Sequence, residues 1–166
     1  MNRPLDVLVV GAGPAGVAAA ITATDRGLAV AVVDAATFPR DKTCGDGLTT
    51  GALRLLEQLG LPRASLATTA YERVEEAMLL SPSGRRVRLP IRRDGEYAGV
   101  VTRRQLDAAL VDHARARGVD VQEERAVETL TPVAHGVRVT TASGDEYTAR
   151  FVVAADGHFS SVRRAW

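Results

Sequence analysis

The sequence predicts an α/β fold built on a parallel, Rossmann-like sheet. Three observations carry this. Leu5–Val10 (LDVLVV) is a short run rich in β-branched residues, the pattern of a strand buried on both faces. It breaks into the glycine turn Gly11–Gly16 (GAGPAG), which opens an alanine-rich helix. A second apolar run, Ala29–Val33, then closes on an acid, Asp34, about 20 residues beyond the turn, as a dinucleotide fingerprint requires.

Each part of the fingerprint has a physical task. Gly11 permits the tight turn, Gly13 lets backbone approach a pyrophosphate with no Cβ in the way, and Gly16 allows close packing of helix on sheet. Pro14 and Ala15 fall in the first helical turn, where a missing N–H at proline costs little. The helix start offers free amides and a partial positive charge to phosphate. Asp34 suits a ribose diol and repels a 2′-phosphate. The competing reading is a strand–turn–helix whose glycines serve packing only.

The helix is expected over Pro14–Arg26, with Gly27 at its end. Phe38–Gly47 is a Pro/Gly/Asp-rich loop, and Leu48–Leu59 has helical spacing. Val74–Leu80 and Arg85–Ile91 flank Ser81-Pro82-Ser83-Gly84 and read as a hairpin, followed by a strand at Tyr97–Val101. Arg103–Arg117 reads as a helix with Leu106, Ala109, Leu110 and Ala114 on one face and a Thr102/Gln105 capping box. Val119–Gln122 is strand-like. Segments near Val127, Val137–Thr141 and Tyr147–Arg150 form a small antiparallel meander, and Phe151–Ala155 is a last, separate buried strand.

Bulk properties narrow the field. At 166 residues the chain is one domain, or one with a small appendage, and can bury a real core. Its net charge of +1 gives no field suited to nucleic acid. The single cysteine, Cys44, excludes an internal disulfide and fits a reducing, cytoplasmic setting. No apolar run can span a bilayer, and no signal peptide precedes the first strand. His113, His135 and His158 are scattered, so no metal site is expected.

Three segments resemble one group of FAD-dependent oxidoreductases, which includes geranylgeranyl reductases and p-hydroxybenzoate hydroxylase. These are VLVVGAGPAGVAAA, PRDKTCGDGL at Pro39–Leu48, and VVAADGHFSSVRRA at Val152–Ala165. PRDKTCGDGL resembles the geranylgeranyl reductase branch in particular. VTRRQLDAAL at Val101–Leu110 fits the group's arginine-led helix.

The resemblance implies FAD as cofactor, with Arg103 close to it, Asp156-Gly157 near the pyrophosphate and ribose, and backbone near Val127 approaching adenine. Arginines at a helix start oppose the dipole, which independently suggests an anion near Arg103; a solvated pair is the plainer account. Asp156-Gly157 also reads as an Asx turn that starts a helix. Cys44 and Gly45 are expected near the flavin and substrate; a small buried thiol is the alternative for Cys44. No catalytic residue is assigned.

The reaction implied is reduction of isoprenoid C=C bonds, with NAD(P)H or another donor recharging the flavin. The alternatives are an FAD monooxygenase acting on aromatic or polyketide-like substrates, and a noncatalytic nucleotide-binding fragment. Expected partners are a small molecule, isoprenoid in the first reading, and a peripheral membrane surface. Members of the group are longer, so the chain is expected to be an N-terminal part completed by further sequence or a second chain. Residues 1–166 are then the FAD-binding domain, with 68–101 an incomplete substrate-domain β-sheet inserted in it.

Overall fold

The computed structural model describes residues 5–44, 46–61, 66, 71–91 and 98–166. The chain forms two compact units: residues 1–40 with 107–166, and residues 41–106.

The first unit is an α/β layer structure. Strand β1 (Leu5–Val10), helix α1 (Pro14–Thr24) and strand β2 (Val30–Val33) make the βαβ unit. Gly27 follows α1 with φ +78°, a backbone state that glycine adopts without steric cost. Strand β8 (Asp120–Gln122) pairs parallel to β2. Strands β9 (Val127–Val133) and β10 (Gly136–Thr141) lead into β11 (Glu146–Ala154). The six strands lie in the order β8-β2-β1-β11-β10-β9, parallel from β8 to β11 and antiparallel from β11 to β9.

Tyr147–Arg150 and Phe151–Ala155 are therefore not separate strands. They form one, β11, which pairs with β10 at its start and with β1 from Ala149 onward. The expected burial of its final segment also fails: Phe151, at 62%, and Ala154 are exposed, and Val152, Val153 and Ala155 are only half-buried. Alternation accounts for Phe151, since Val152 packs toward the meander core and Phe151 points to the opposite face.

The core follows from the same alternation. Leu8 and Val10 of β1 and Ala31 and Val33 of β2 meet Val127, Leu130 and Val139 of the meander, with Ala149 and Val162. The meander thus covers one face of the parallel sheet. Helix α1 packs against β1 and β2 and buries Gly16, Val17, Ala20 and Ile21.

The second unit holds a three-stranded antiparallel sheet ordered β3 (Gly47–Leu48), β7 (Ala98–Val100), β4 (Glu72–Val74). It also has a hairpin of β5 (Glu76–Leu80) and β6 (Arg86–Pro90) and a helix α2 (Thr50–Gln58). Tyr97 lies outside the described residues. Thr49 caps α2 by accepting from the Ala52 N–H at 3.2 Å. Helix α3 (Arg103–Ala116) begins in this unit and ends in the first. Thr102 and Gln105 bond through their side chains, Thr102 Oγ1 to Gln105 Oε1 at 2.9 Å, and not through the crossed backbone bonds of a capping box. The first amide of α3 goes instead to Asp46, whose Oδ1 accepts from the Arg103 N–H at 3.0 Å.

Leu8 is fully buried between β2 and the meander. Leu8→Ala should lower unfolding free energy by about 2–5 kcal/mol, measured by urea denaturation.

Candidate functional site

The carboxyl ends of β1, β2 and β11 converge on the glycine turn. Gly11 has φ +101°, and a Cβ there would collide with the Ala155 carbonyl and lie 2.9 Å from Asp156 Cα. A Cβ on Gly16 would overlap the Gly11 carbonyl oxygen and crowd Ala155. Both glycines are thus fixed by packing, Gly16 against the turn as well as the sheet.

Gly13 is different. It sits at the N-cap of α1 with φ −74° and ψ −179°, a conformation open to any residue. Its backbone state does not call for glycine. No side chain caps the N-terminus of α1, Pro14 occupies its first turn, and Ala15 is exposed. The arrangement fits a diphosphate held by helix-terminal amides.

Asp34 closes the turn from the side. Its Oδ2 accepts from the Ala12 N–H at 2.7 Å and its Oδ1 from the Ala36 N–H at 2.8 Å. Each carboxylate oxygen keeps a lone pair for a further donor, such as a ribose hydroxyl. The loop after β2 is also zipped to the loop after β8. The Asp34 N–H donates to Gln122 O at 3.0 Å, and the Arg125 N–H donates to Asp34 O at 2.8 Å. Glu123 accepts from the Phe38 N–H at 3.1 Å and pairs with Arg115 of α3 at 2.8 Å.

Asp156 lies beside the glycine turn and, as its alternative reading expected, bonds the start of a helix. Its backbone abuts Gly11, while its Oδ2 accepts from Ser161 N–H at 2.6 Å, Ser161 Oγ at 3.0 Å and Val162 N–H at 3.1 Å. It thereby starts helix α4 (Ser161–Ala165). Burial pushes this carboxyl up, but hydrogen bonds from Ser160, the Val162 amide and Ser161 outweigh it and hold the group below its ordinary value. Gly157 follows with φ +84°.

Other expected residues are placed less directly. The Val127 side chain is buried in the meander core, so only its backbone is on offer. Arg103 opens α3 in the second unit. Cys44 is exposed, which overturns the buried-thiol alternative; the loop around it is polar and has no core to enter. Gly45 lies outside the described residues.

Arg40 went unnoticed in the sequence. Its Nη2 lies 3.1 Å from Oδ2 of Asp107, a fully buried carboxylate, and its guanidinium stacks 5.0 Å from the Phe38 ring centroid. Its Nη1 is buried with no hydrogen-bond partner, a cost that an anionic ligand would remove. The available signal was an arginine six residues beyond Asp34, inside PRDKTCGDGL.

Two measurements separate fold from site. Gly16→Ala should destabilise the protein whether or not ligand is present, seen as a lower Tm. Gly13→Val should change stability by no more than about 1 kcal/mol. The Asp156 cap should also be pH-dependent. A lowered folded pKa adds stability above the ordinary value of 3.8, lost as pH falls through the lower folded value. The Tm gap between wild type and Asp156→Asn should close over that acid range.

Known proteins share much of this sequence and fold. Over 96% of its length the chain is 38% identical to menaquinone reductase of Mycobacterium tuberculosis. Over 99% it is 31% identical to digeranylgeranylglycerophospholipid reductase of Methanosphaerula palustris, covering 41% of that protein. Among solved structures it superposes on the tetrameric form of 2-methyl-3-hydroxypyridine-5-carboxylic acid oxygenase with TM-score 0.79 and 29% identity, covering 99% of this chain and 42% of that one. The chain spans about 39% of the length of the menaquinone reductase it matches. Residues 4–166 match the family model described as FAD binding domain, and the chain belongs to that family.

Proposed function

We propose that this chain is the FAD-holding part of a flavoprotein that reduces C=C bonds in polyprenyl lipids. The pyrophosphate lies at Gly11–Gly16 against the α1 amides, and the adenosine ribose bonds Asp34. Val127 offers backbone to the adenine, Asp156-Gly157 borders the pyrophosphate, and Arg40 supplies a buried cation. Arg103, Cys44 and Gly45 join this assignment on the family resemblance alone. Residues 68–101 contribute to the substrate-facing sheet. Bound FAD supplies the two-electron chemistry, and the protein supplies placement and electrostatics. A nicotinamide dinucleotide is the proposed electron donor.

The observation that carries the reductase reading is the 38% identity to menaquinone reductase over nearly the whole chain. Menaquinone and a digeranylgeranyl lipid differ in their head groups and share an isoprenoid chain. That shared part defines the substrate class. PRDKTCGDGL, at Pro39–Leu48, points the same way. The likeness to an oxygenase favours a second reading, an FAD monooxygenase.

Two experiments test these readings. In the first, FAD is titrated into the purified chain and its fluorescence followed. Saturable quenching that ADP reverses is expected, and Gly13→Val or Asp34→Ala should raise Kd at least about tenfold, or ~1.4 kcal/mol. Equal, weak signals in all three proteins would mean that the turn holds no flavin. In the second, residues 1–166 replace the matching segment of the mycobacterial menaquinone reductase. The chimera should add hydrogen across an isoprenoid double bond without oxygen uptake. Oxygen consumption with a hydroxylated product would transfer the assignment to the monooxygenase.

A further inference from the structure

Asp46 is where the Cys44 loop meets helix α3. Its Oδ1 accepts from the Arg103 N–H at 3.0 Å, and its carbonyl oxygen accepts from the Val101 N–H at 3.0 Å. Val101 is buried, so the second bond ties Asp46 to a fixed point of the second unit. Gly47 and Leu48 continue the contact, pairing with Val100 and Gly99 in the β3–β7 ladder. At Asp46 the chain leaves that ladder with φ +51°, in the left-handed region. A residue other than glycine keeps that conformation where its surroundings fix it, and aspartate is among the few that tolerate it.

One residue thus meets three requirements. It adopts a left-handed backbone, presents a carbonyl to Val101 and reaches the first amide of α3 with its carboxylate. Glycine would meet the first two only. Asparagine would meet all three without the charge. The charge has a use of its own. Arg103 and Arg104 stand in the first turn of α3 and oppose its dipole. The Asp46 carboxylate supplies the anion that this helix start calls for. The Arg103 amide is therefore occupied, whereas no side chain caps the start of α1. A cofactor phosphate finds open amides at α1, and Arg103 serves a ligand through its guanidinium.

Asp46 directly follows Cys44-Gly45 and directly holds Arg103. These are the residues of the second unit that the proposed function assigns to the cofactor. Asp46 and Arg103 are 57 positions apart in sequence, so no local structure keeps loop and arginine together. The Asp46 bonds and the short ladder beside them do. We infer that Asp46 is a positioning residue of the flavin site, which sets the spacing of the Cys44-Gly45 loop and Arg103 so that both engage the flavin half of FAD. The inference rests on the FAD-holding role proposed above.

The test uses the full chain and two variants. Asp46→Asn keeps the left-handed backbone and the acceptor, and Asp46→Gly keeps the backbone and removes the acceptor. FAD and ADP are titrated into each, and Cys44, the single cysteine and exposed, is labelled with a disulfide reagent. Asp46→Gly should raise Kd for FAD about tenfold or more and leave Kd for ADP within about twofold. Asp46→Asn should hold Kd for FAD within about threefold of wild type. FAD should slow labelling of Cys44 in wild type and Asp46→Asn, and ADP should not. In Asp46→Gly, FAD should protect no better than ADP at equal occupancy.

Equal FAD affinity and protection in Asp46→Gly and wild type would overturn the inference, as would FAD that binds wild type without shielding Cys44. So would a parallel loss of FAD and ADP affinity with a lower Tm, the mark of a purely structural cap. Asp46→Asn as weak as Asp46→Gly would assign the effect to charge and overturn it too. In each of these cases wild type still binds FAD and the FAD-holding reading stands. A wild type that binds no FAD would remove that reading and the inference with it.

Discussion

The hydrogen bonds of the Asp34 carboxylate organise the site. One oxygen holds the Ala12 amide in the glycine turn, and the other holds the Ala36 amide in the loop that follows β2. A single side chain thus fixes the spacing between the ends of the first two strands. Any ligand that spans this gap meets a groove of set width. Because the carboxylate is half-buried and already bonded, it is oriented before a ligand arrives.

The glycines act on the other side of the same turn. Without side chains at 11 and 16, the β1 terminus, the α1 start and the Ala155-Asp156 segment come within contact distance. Asp156 then turns its carboxylate away to start α4 while leaving its backbone beside the turn. Packing alone accounts for Gly11 and Gly16, so their presence is poor evidence for a ligand. Gly13 differs from both in having backbone angles that suit any residue.

Much of this could be read from the sequence because its signals are local. The βαβ unit, the hairpin and the α3 face rest on periodicity and punctuation within a dozen residues. The division of β11 into two strands failed for a physical reason. Its first half alternates because it lies in a meander, and its second half is continuously apolar because it joins a parallel sheet, so one strand shows two patterns. The partnership of Arg40 with Asp107, and of Arg103 with Asp46, could not be read at all. Those pairs are far apart in sequence and follow no period; only the folded backbone brings them together.

The position of β11 at the centre of the sheet has a kinetic consequence. Leu5 aligns with Ala149, so during synthesis β1 waits for a strand that emerges only after the whole second unit before one of its edges is paired. In the interval, β1 and β2 present open, valine-rich backbone to water. Such a topology has high contact order and folds slowly. The nascent chain exposes a sticky edge for as long as the second unit and α3 take to emerge, which makes it a natural client for a chaperone.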